Sequence, residues 1–199
     1  MHTTFWALID AIARLVVIFY PGLIAFWLII HSRIEHWRKV GKGRAYGTAC
    51  LPWPVIAAVL GSLQQELFAY RWRMPSVVIA LGFVALAWAF VTGYQASREI
   101  PHRTLIGLAE IEPDSNRQPL LAAGIYSRTR NPVYFTHFLV ILFTAMTTGY
   151  VASWALIVLV IVGDALMIRA EERELKARFG APFEEYMRRV PRFVPRRPW

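Results

Sequence analysis

The chain has 199 residues, of which 56% are hydrophobic and only 18% charged, with a mean hydropathy of +0.40. One soluble domain of this size cannot bury so much apolar surface, and the same numbers exclude a disordered chain, collagen and a coiled coil. Twenty-two Lys and Arg against 13 Asp and Glu leave a formal charge of +9, and aromatic residues reach 14% with eight Trp; this combination points to a bilayer interface and anionic lipid, not to nucleic acid. The single cysteine, Cys50, excludes an internal disulfide and a Cys-based zinc site.

The opening MHTT carries no positive segment, and the apolar run after it is too long for a signal peptide, so it reads as the start of a membrane span. Phe5 to Ile30 is apolar except for Asp10 and Arg14, which stand at i and i+4, share a helix face and can pair. Pro21-Gly22 predicts a kink in that helix. Leu51 to Tyr70 holds one charge, Glu66, and its Pro52 and Pro54 suit a helix start. Met74 to Ser97 has no formal charge over 24 residues. Each stretch is long enough for a bilayer core, which needs about 20 residues.

Asn131 to Gly163 runs 33 residues without a formal charge. As one helix it would extend roughly 50 Å at ~1.5 Å per residue, against a hydrocarbon core of about 30 Å. It is therefore expected to fold back at Thr147-Thr148-Gly149 as a tight hairpin, Pro132–Met146 and Tyr150–Ile168. The predicted fold is all-α, a polytopic membrane protein with about five transmembrane helices.

Lys and Arg in the connecting segments set the orientation. The 31–50 loop, the 98–130 loop and the tail from Arg169 together hold nineteen, whereas the other side has only Arg71 and Arg73. The N-terminus is thus expected outside, and the 98–130 loop and the C-terminus in the cytoplasm. In the tail, Leu175, Phe179, Phe183, Tyr186 and Val190 recur every three or four residues, an amphipathic helical pattern that Gly180 and Pro182 break into two. The five arginines between Arg188 and Arg197, with no acid among them, read as lipid-surface anchors. The division expected is a three-helix membrane region, 1–97, followed by a catalytic region, 98–199.

Chemistry concentrates in Leu120–Tyr134, LLAAGIYSRTRNPVY. Gly124 breaks structure and Pro132 fits a first helical turn, so this is a loop feeding a helix whose free N–H groups can hold an anionic or polar group. Two arginines, an asparagine and two tyrosines surround that start. After the hairpin returns, Arg169-Ala-Glu-Glu-Arg173 brings a carboxylate pair to the same side. A face with Arg, Asn, Tyr and Glu beside lipid can hold a charged, polar cofactor. His102 and His137 have no second ligand at metal spacing, so no metal site is predicted. Asp164 lies within the fifth span as either a functional or a paired acid.

The ordered set Gly124-Ile125-Tyr126, Arg130-Asn131-Pro132-Val133-Tyr134, an apolar hairpin, Glu171-Glu172-Arg173-Glu174-Leu175, Phe179-Gly180 and Arg189-Val190-Pro191 resembles the isoprenylcysteine carboxyl methyltransferase and phospholipid methyltransferase family. The upstream HRTLIGLAEIEP, 102–113, is similar to the lead-in of bacterial members. The resemblance covers roughly residues 102–195 and extends to the first three helices only in that they are membrane spans. It implies methyl transfer from S-adenosylmethionine, leaving S-adenosylhomocysteine, to a lipophilic acceptor in a membrane, here a bacterial inner membrane. It further implies that Leu121, Ala122, Gly124, Ile125 and Tyr126 line the cofactor. Arg130, Asn131, Pro132 and Tyr134 meet its polar end, and Glu171 or Glu172 its ribose or amino group; Arg130, Asn131 and Glu171 carry the catalytic role. Asn131 stands where the carboxyl methyltransferase branch has His, closer to the amine and phospholipid variants; Thr136 stands where many members have Gly, and Phe183 where many have Tyr.

Carboxyl O-methylation of a prenylcysteine-like group is the leading expectation, with N-methylation of a phospholipid or lipid amine beside it. A non-enzymatic membrane protein, transporter or scaffold, is the competing class, although paired repeats and broken mid-membrane helices are not visible. The oligomeric state is left open.

Overall fold

The computed structural model describes residues 2–113 and 119–195. Arg117, Arg196 and Arg197, counted above among the loop and tail charges, lie outside the described residues. All of the regular elements described are helical: α1 His2–Ser32, α2 Ile34–Val40, α3 Lys42–Cys50, α4 Pro52–Ser62, α5 Gln64–Leu67, α6 Ser76–Glu99, α7 His102–Leu105, α8 Leu108–Ile111, a 3₁₀ turn Gly124–Ser127, α9 Pro132–Thr148, α10 Val151–Phe179 and α11 Ala181–Arg189. Four helices among the described residues are long and apolar enough to cross a membrane: Thr4–Ser32, Lys42–Ser62, Ser76–Glu99 and Val151–Phe179; Pro132–Thr148 is shorter.

The first helix stays helical through Pro21. Asp10 and Arg14 do pair, Nε to Oδ2 at 2.7 Å, and Arg14 also donates to the Tyr150 hydroxyl at 2.6 Å, which in turn donates to Asp10. The second span departs from its expected Leu51–Tyr70 limits. It begins at Lys42, after Gly41 at φ 89°, and ends at Ser62. Pro52 does start a helix, α4, as expected, but the apolar span that contains it begins earlier, with α3 at Lys42. Leu51 stays in the α region and donates to the Thr48 carbonyl at 3.3 Å, so the chain tightens by one residue and passes the proline without stopping. The polar run Gln64-Gln65-Glu66 follows, and residues 68–75 cross that end of the bundle.

There Arg71 bridges Tyr150 antiparallel, with Trp72 N–H donating to Gly149 O at 2.9 Å and Val151 N–H to Tyr70 O at 3.2 Å. Gly149, at φ 72°, ends α9 and allows α10 to turn back beside it. Small residues let α6 lie close to α9. A methyl group at Gly82 would stand 3.2 Å from Met146 and Thr147, one at Gly93 the same distance from Thr136, and the Thr92 and Thr136 hydroxyls bond at 2.8 Å. α1 packs on α4, α9 and α10.

Beyond Ile168 the helix α10 continues unbroken to Phe179, further than the expected arm, because RAEERELKARF consists of strong helix formers. Gly180, at φ 60°, then separates it from α11, whose Phe183 and Tyr186 pack with Val190 against Leu120, Leu175 and Phe179.

Candidate functional site

The tail fixes the loop that leads into α9. Arg130 N–H donates to Pro191 O at 3.0 Å, the Thr129 hydroxyl to Phe193 O at 2.7 Å, and the Asn131 side-chain amide to Arg192 O at 2.6 Å. One turn earlier, the Tyr186 hydroxyl donates to Tyr126 O at 2.7 Å. Residues 126–131 are therefore held along their whole length by a segment some 60 residues downstream.

Within this frame a cavity of about 150 Å³ opens between α1, the α7–α8 segment, the 126–134 segment and α10. Of the residues singled out in the sequence, Tyr126, Arg130, Asn131, Pro132, Tyr134 and Glu171 line it. Tyr134 donates its hydroxyl to Glu171 Oε2 at 3.2 Å, across the 37 positions that the apolar turn-back spans. Arg130 places one guanidinium nitrogen 3.1 Å from Glu172, while its Nε is buried without a hydrogen-bond partner. Burial pulls the Arg130 guanidinium below its ordinary pKa, and Glu172 opposes that.

The two glutamates separate. Glu171 faces the cavity; Glu172 is held by Arg130 and by Arg192, whose Nη2 is 2.6 Å away, so its carboxylate ties the tail to α10. The four loop residues before Tyr126 also stand elsewhere. Leu121 packs with Ala96 and Ile125, Ala122 is exposed, and Gly124 and Ile125 border a groove along α6 with Phe90, Val91 and Tyr94. Glycine suits this position because its φ of 51° is left-handed, while the Glu99 side chain lies against it.

The cavity also has walls that sequence spacing did not identify. Tyr20, Trp27 and His31 come from α1, His137 from α9 and Glu110 from α8. Tyr20, Trp27 and His31 are one helix face at steps of seven and four, a signal hidden by the uniformly apolar run around them. Glu110 sits inside the HRTLIGLAEIEP segment that carried part of the resemblance. α8 is pinned by two main-chain bonds, Arg38 Nε to Glu110 O at 2.9 Å and Arg178 Nη1 to Ala109 O at 3.0 Å. Glu110 is 6% exposed, and its carboxylate Oε2 is 3.2 Å from His31 Nδ1. Burial, helped by Glu174 and opposed by Arg178 and Arg38, pushes the Glu110 carboxyl up to about 8.

The donor set suits an amino-acid-bearing nucleoside. Arg130 has a free buried donor for a carboxylate, Glu171 a carboxylate for an ammonium or a diol, and Tyr20, Trp27, Tyr126 and Tyr134 add aromatic rings to the lining.

Over 160 residues the chain is 32% identical to methanethiol S-methyltransferase 2 of Bradyrhizobium diazoefficiens, a match that takes in 69% of this chain and 58% of that protein. The chain thus spans less than two thirds of that relative's length. No family model matches, and no solved structure does. By its name the relative is a methyltransferase that acts on methanethiol. By its four long apolar helices the chain is an integral membrane protein, and over most of its own length it is similar in sequence to a methyltransferase.

Proposed function

We propose that this chain transfers a methyl group from S-adenosylmethionine to a compact thiol. The observation that carries the reading is the meeting of Arg130, Tyr134 and Glu171 in one largely apolar cavity. The bound cofactor would supply a methyl group already activated on a sulfonium. Arg130 and Asn131 would hold its amino-acid end and Glu171 its ammonium or ribose hydroxyls. The chain's own task is then to orient the acceptor in line and exclude water. The relative's name favours a compact thiol over a prenylcysteine carboxylate.

A lipophilic acceptor of the isoprenylcysteine kind is the second reading. It is favoured by the groove along α6, where Phe90, Val91 and Tyr94 are exposed beside Gly124 and Ile125 and could leave a tail in the bilayer. Methyl-labelled S-adenosylmethionine offered with methanethiol, and separately with S-farnesyl cysteine, decides between them. Label in the volatile thioether is expected. Label in the farnesyl compound alone moves the assignment to the second reading; label in neither, with no S-adenosylhomocysteine binding, overturns both.

In this reading residues 98–199 carry the chemistry, and 1–97 form a membrane region that lends one cavity wall. With α9 counted, the chain crosses the bilayer five times. The positive segments favour a cytoplasmic site, since 31–50, 102–112 and the tail meet at one end through Arg38–Glu174 at 2.6 Å and Tyr46–Ile106 O at 2.6 Å. A C-terminal phosphatase fusion is therefore expected to be inactive and a C-terminal fluorescent fusion bright. The opposite pair of results would reverse the topology.

A further inference from the structure

Methyl transfer to a thiol needs more than the cofactor loop provides. The attacking species is the thiolate, and an alkanethiol is mostly protonated near neutral pH. Among the cavity residues, His31 and Glu110 stand as a pair, Nδ1 to Oε2 at 3.2 Å, with side chains only 6% and 7% exposed. The imidazole is stacked on Trp27 at 5.4 Å between ring centres, which fixes its plane.

Two guanidiniums lie close by and favour the ionised Glu110, yet their bonds go to other groups than its carboxylate. Arg38 gives its nitrogens to Glu35, Glu174 and the Glu110 main-chain oxygen. Arg178 donates Nη1 to the Ala109 oxygen and pairs Nη2 with Glu174 at 3.4 Å, its Nε being buried without a hydrogen-bond partner. The arginines thus hold the helix in place and leave the carboxylate to face His31 and the cavity.

Resting on the thiol reading above, we propose that Glu110, paired with His31, is the base that takes the acceptor's proton. The S–H bond breaks and its proton passes to the pair. The electron pair left on sulfur forms the new carbon–sulfur bond, while the methyl group's bond to the sulfonium sulfur breaks and its electrons stay on that sulfur. The proton then leaves the pair to water.

A base works best with a pKa near the working pH, and burial brings Glu110 to about 8. Glu174 pushes in the same direction and Arg178 and Arg38 in the other; Glu171, Tyr134 and Tyr46 are further titratable groups that feel the Glu110 charge. Only the ionised carboxylate accepts a proton, so the rate should rise as pH climbs through about 8 and fall below it.

The test uses the purified full chain in lipid nanodiscs and compares wild type, Glu110→Gln, Glu110→Asp and His31→Asn. Two acceptors are offered: an alkanethiol, and an electron-poor thiol that is already ionised at pH 7. Glu110→Gln is expected to lower transfer to the alkanethiol by about 10²- to 10⁴-fold, to flatten its pH profile, and to leave the ionised thiol's rate and calorimetric S-adenosylhomocysteine binding intact. His31→Asn should lower alkanethiol transfer as well, and Glu110→Asp should recover part of it.

A readout independent of turnover is the infrared carbonyl band of a protonated carboxyl. It should titrate near pH 8 in wild type, shift when alkanethiol binds, and be missing in Glu110→Gln. Equal losses with both thiols, or no such band, overturn the base assignment. Wild type that binds S-adenosylhomocysteine but methylates neither thiol fails at the level of the proposed function, and the inference falls with it; that failure is seen without any variant.

Discussion

Arg130→Ala and Glu171→Gln are each expected to weaken S-adenosylhomocysteine binding by about 10- to 150-fold, corresponding to a charge-assisted hydrogen bond of ~1.5–3 kcal/mol. Both side chains line the cavity, from segments that only the turn-back of α9 and α10 brings together. The Arg130 change is informative because Glu172 does not become orphaned: Arg192 still holds it at 2.6 Å, so the folded frame survives. In Glu171→Gln the Tyr134 hydroxyl keeps an amide oxygen to donate to, and what is lost is the negative charge. Lys39→Ala, exposed on α2 and away from the cavity, should leave binding unchanged. Isothermal titration in detergent measures all three. If Lys39→Ala costs as much as the other two, net positive charge attracts the ligand and the cavity assignment is wrong.

The largest stability loss is expected at Gly149→Ala. The added methyl group would lie 2.1 Å from the Trp72 carbonyl oxygen, a main-chain atom that cannot swing away, at a φ of +72° that alanine rarely adopts. The same contact region carries the Trp72–Gly149 and Val151–Tyr70 bonds that fasten residues 70–72 to the start of α10. Strain and the lost bonds together should cost about 3–5 kcal/mol. Gly61→Ala, inside α4 with nothing within 4 Å of the new methyl group, should instead be neutral or stabilising by about 0.5–1 kcal/mol. Thermal unfolding followed by tryptophan fluorescence separates the two, and similar midpoints would mean that the Gly149 turn opens at little cost.

The apolar stretches and the charges between them were enough to read an all-helical membrane protein from the sequence. A bilayer dictates both the length and the composition of whatever crosses it, and every backbone group inside must be bonded within its own helix. The turn near Gly149 was legible for the same reason: 33 uncharged residues cannot remain one straight helix in a core of about 30 Å. The Asp10–Arg14 pair and the break at Gly180 followed from helical spacing and glycine.

Helix ends were read less well. Proline marked the start of α4 at Pro52, but the span begins earlier, at Lys42, and passes into α4 through one tightened turn. For the cavity, sequence order identified Arg130, Asn131, Tyr134 and Glu171, because a polar loop entering an apolar helix stands out against lipid-facing surroundings. It could not tell Glu171 from Glu172: adjacent helical positions point about 100° apart, and only the arrival of Arg192 shows which of them the tail occupies. Nor could it join His31 to Glu110. Their meeting depends on α8 being held by Arg38 and Arg178, contacts between segments far apart in the chain. Local pattern determined what crosses the membrane and where polar chemistry gathers; long-range packing decided which of those polar groups share a cavity, since a buried charge goes only where a partner from another element can meet it.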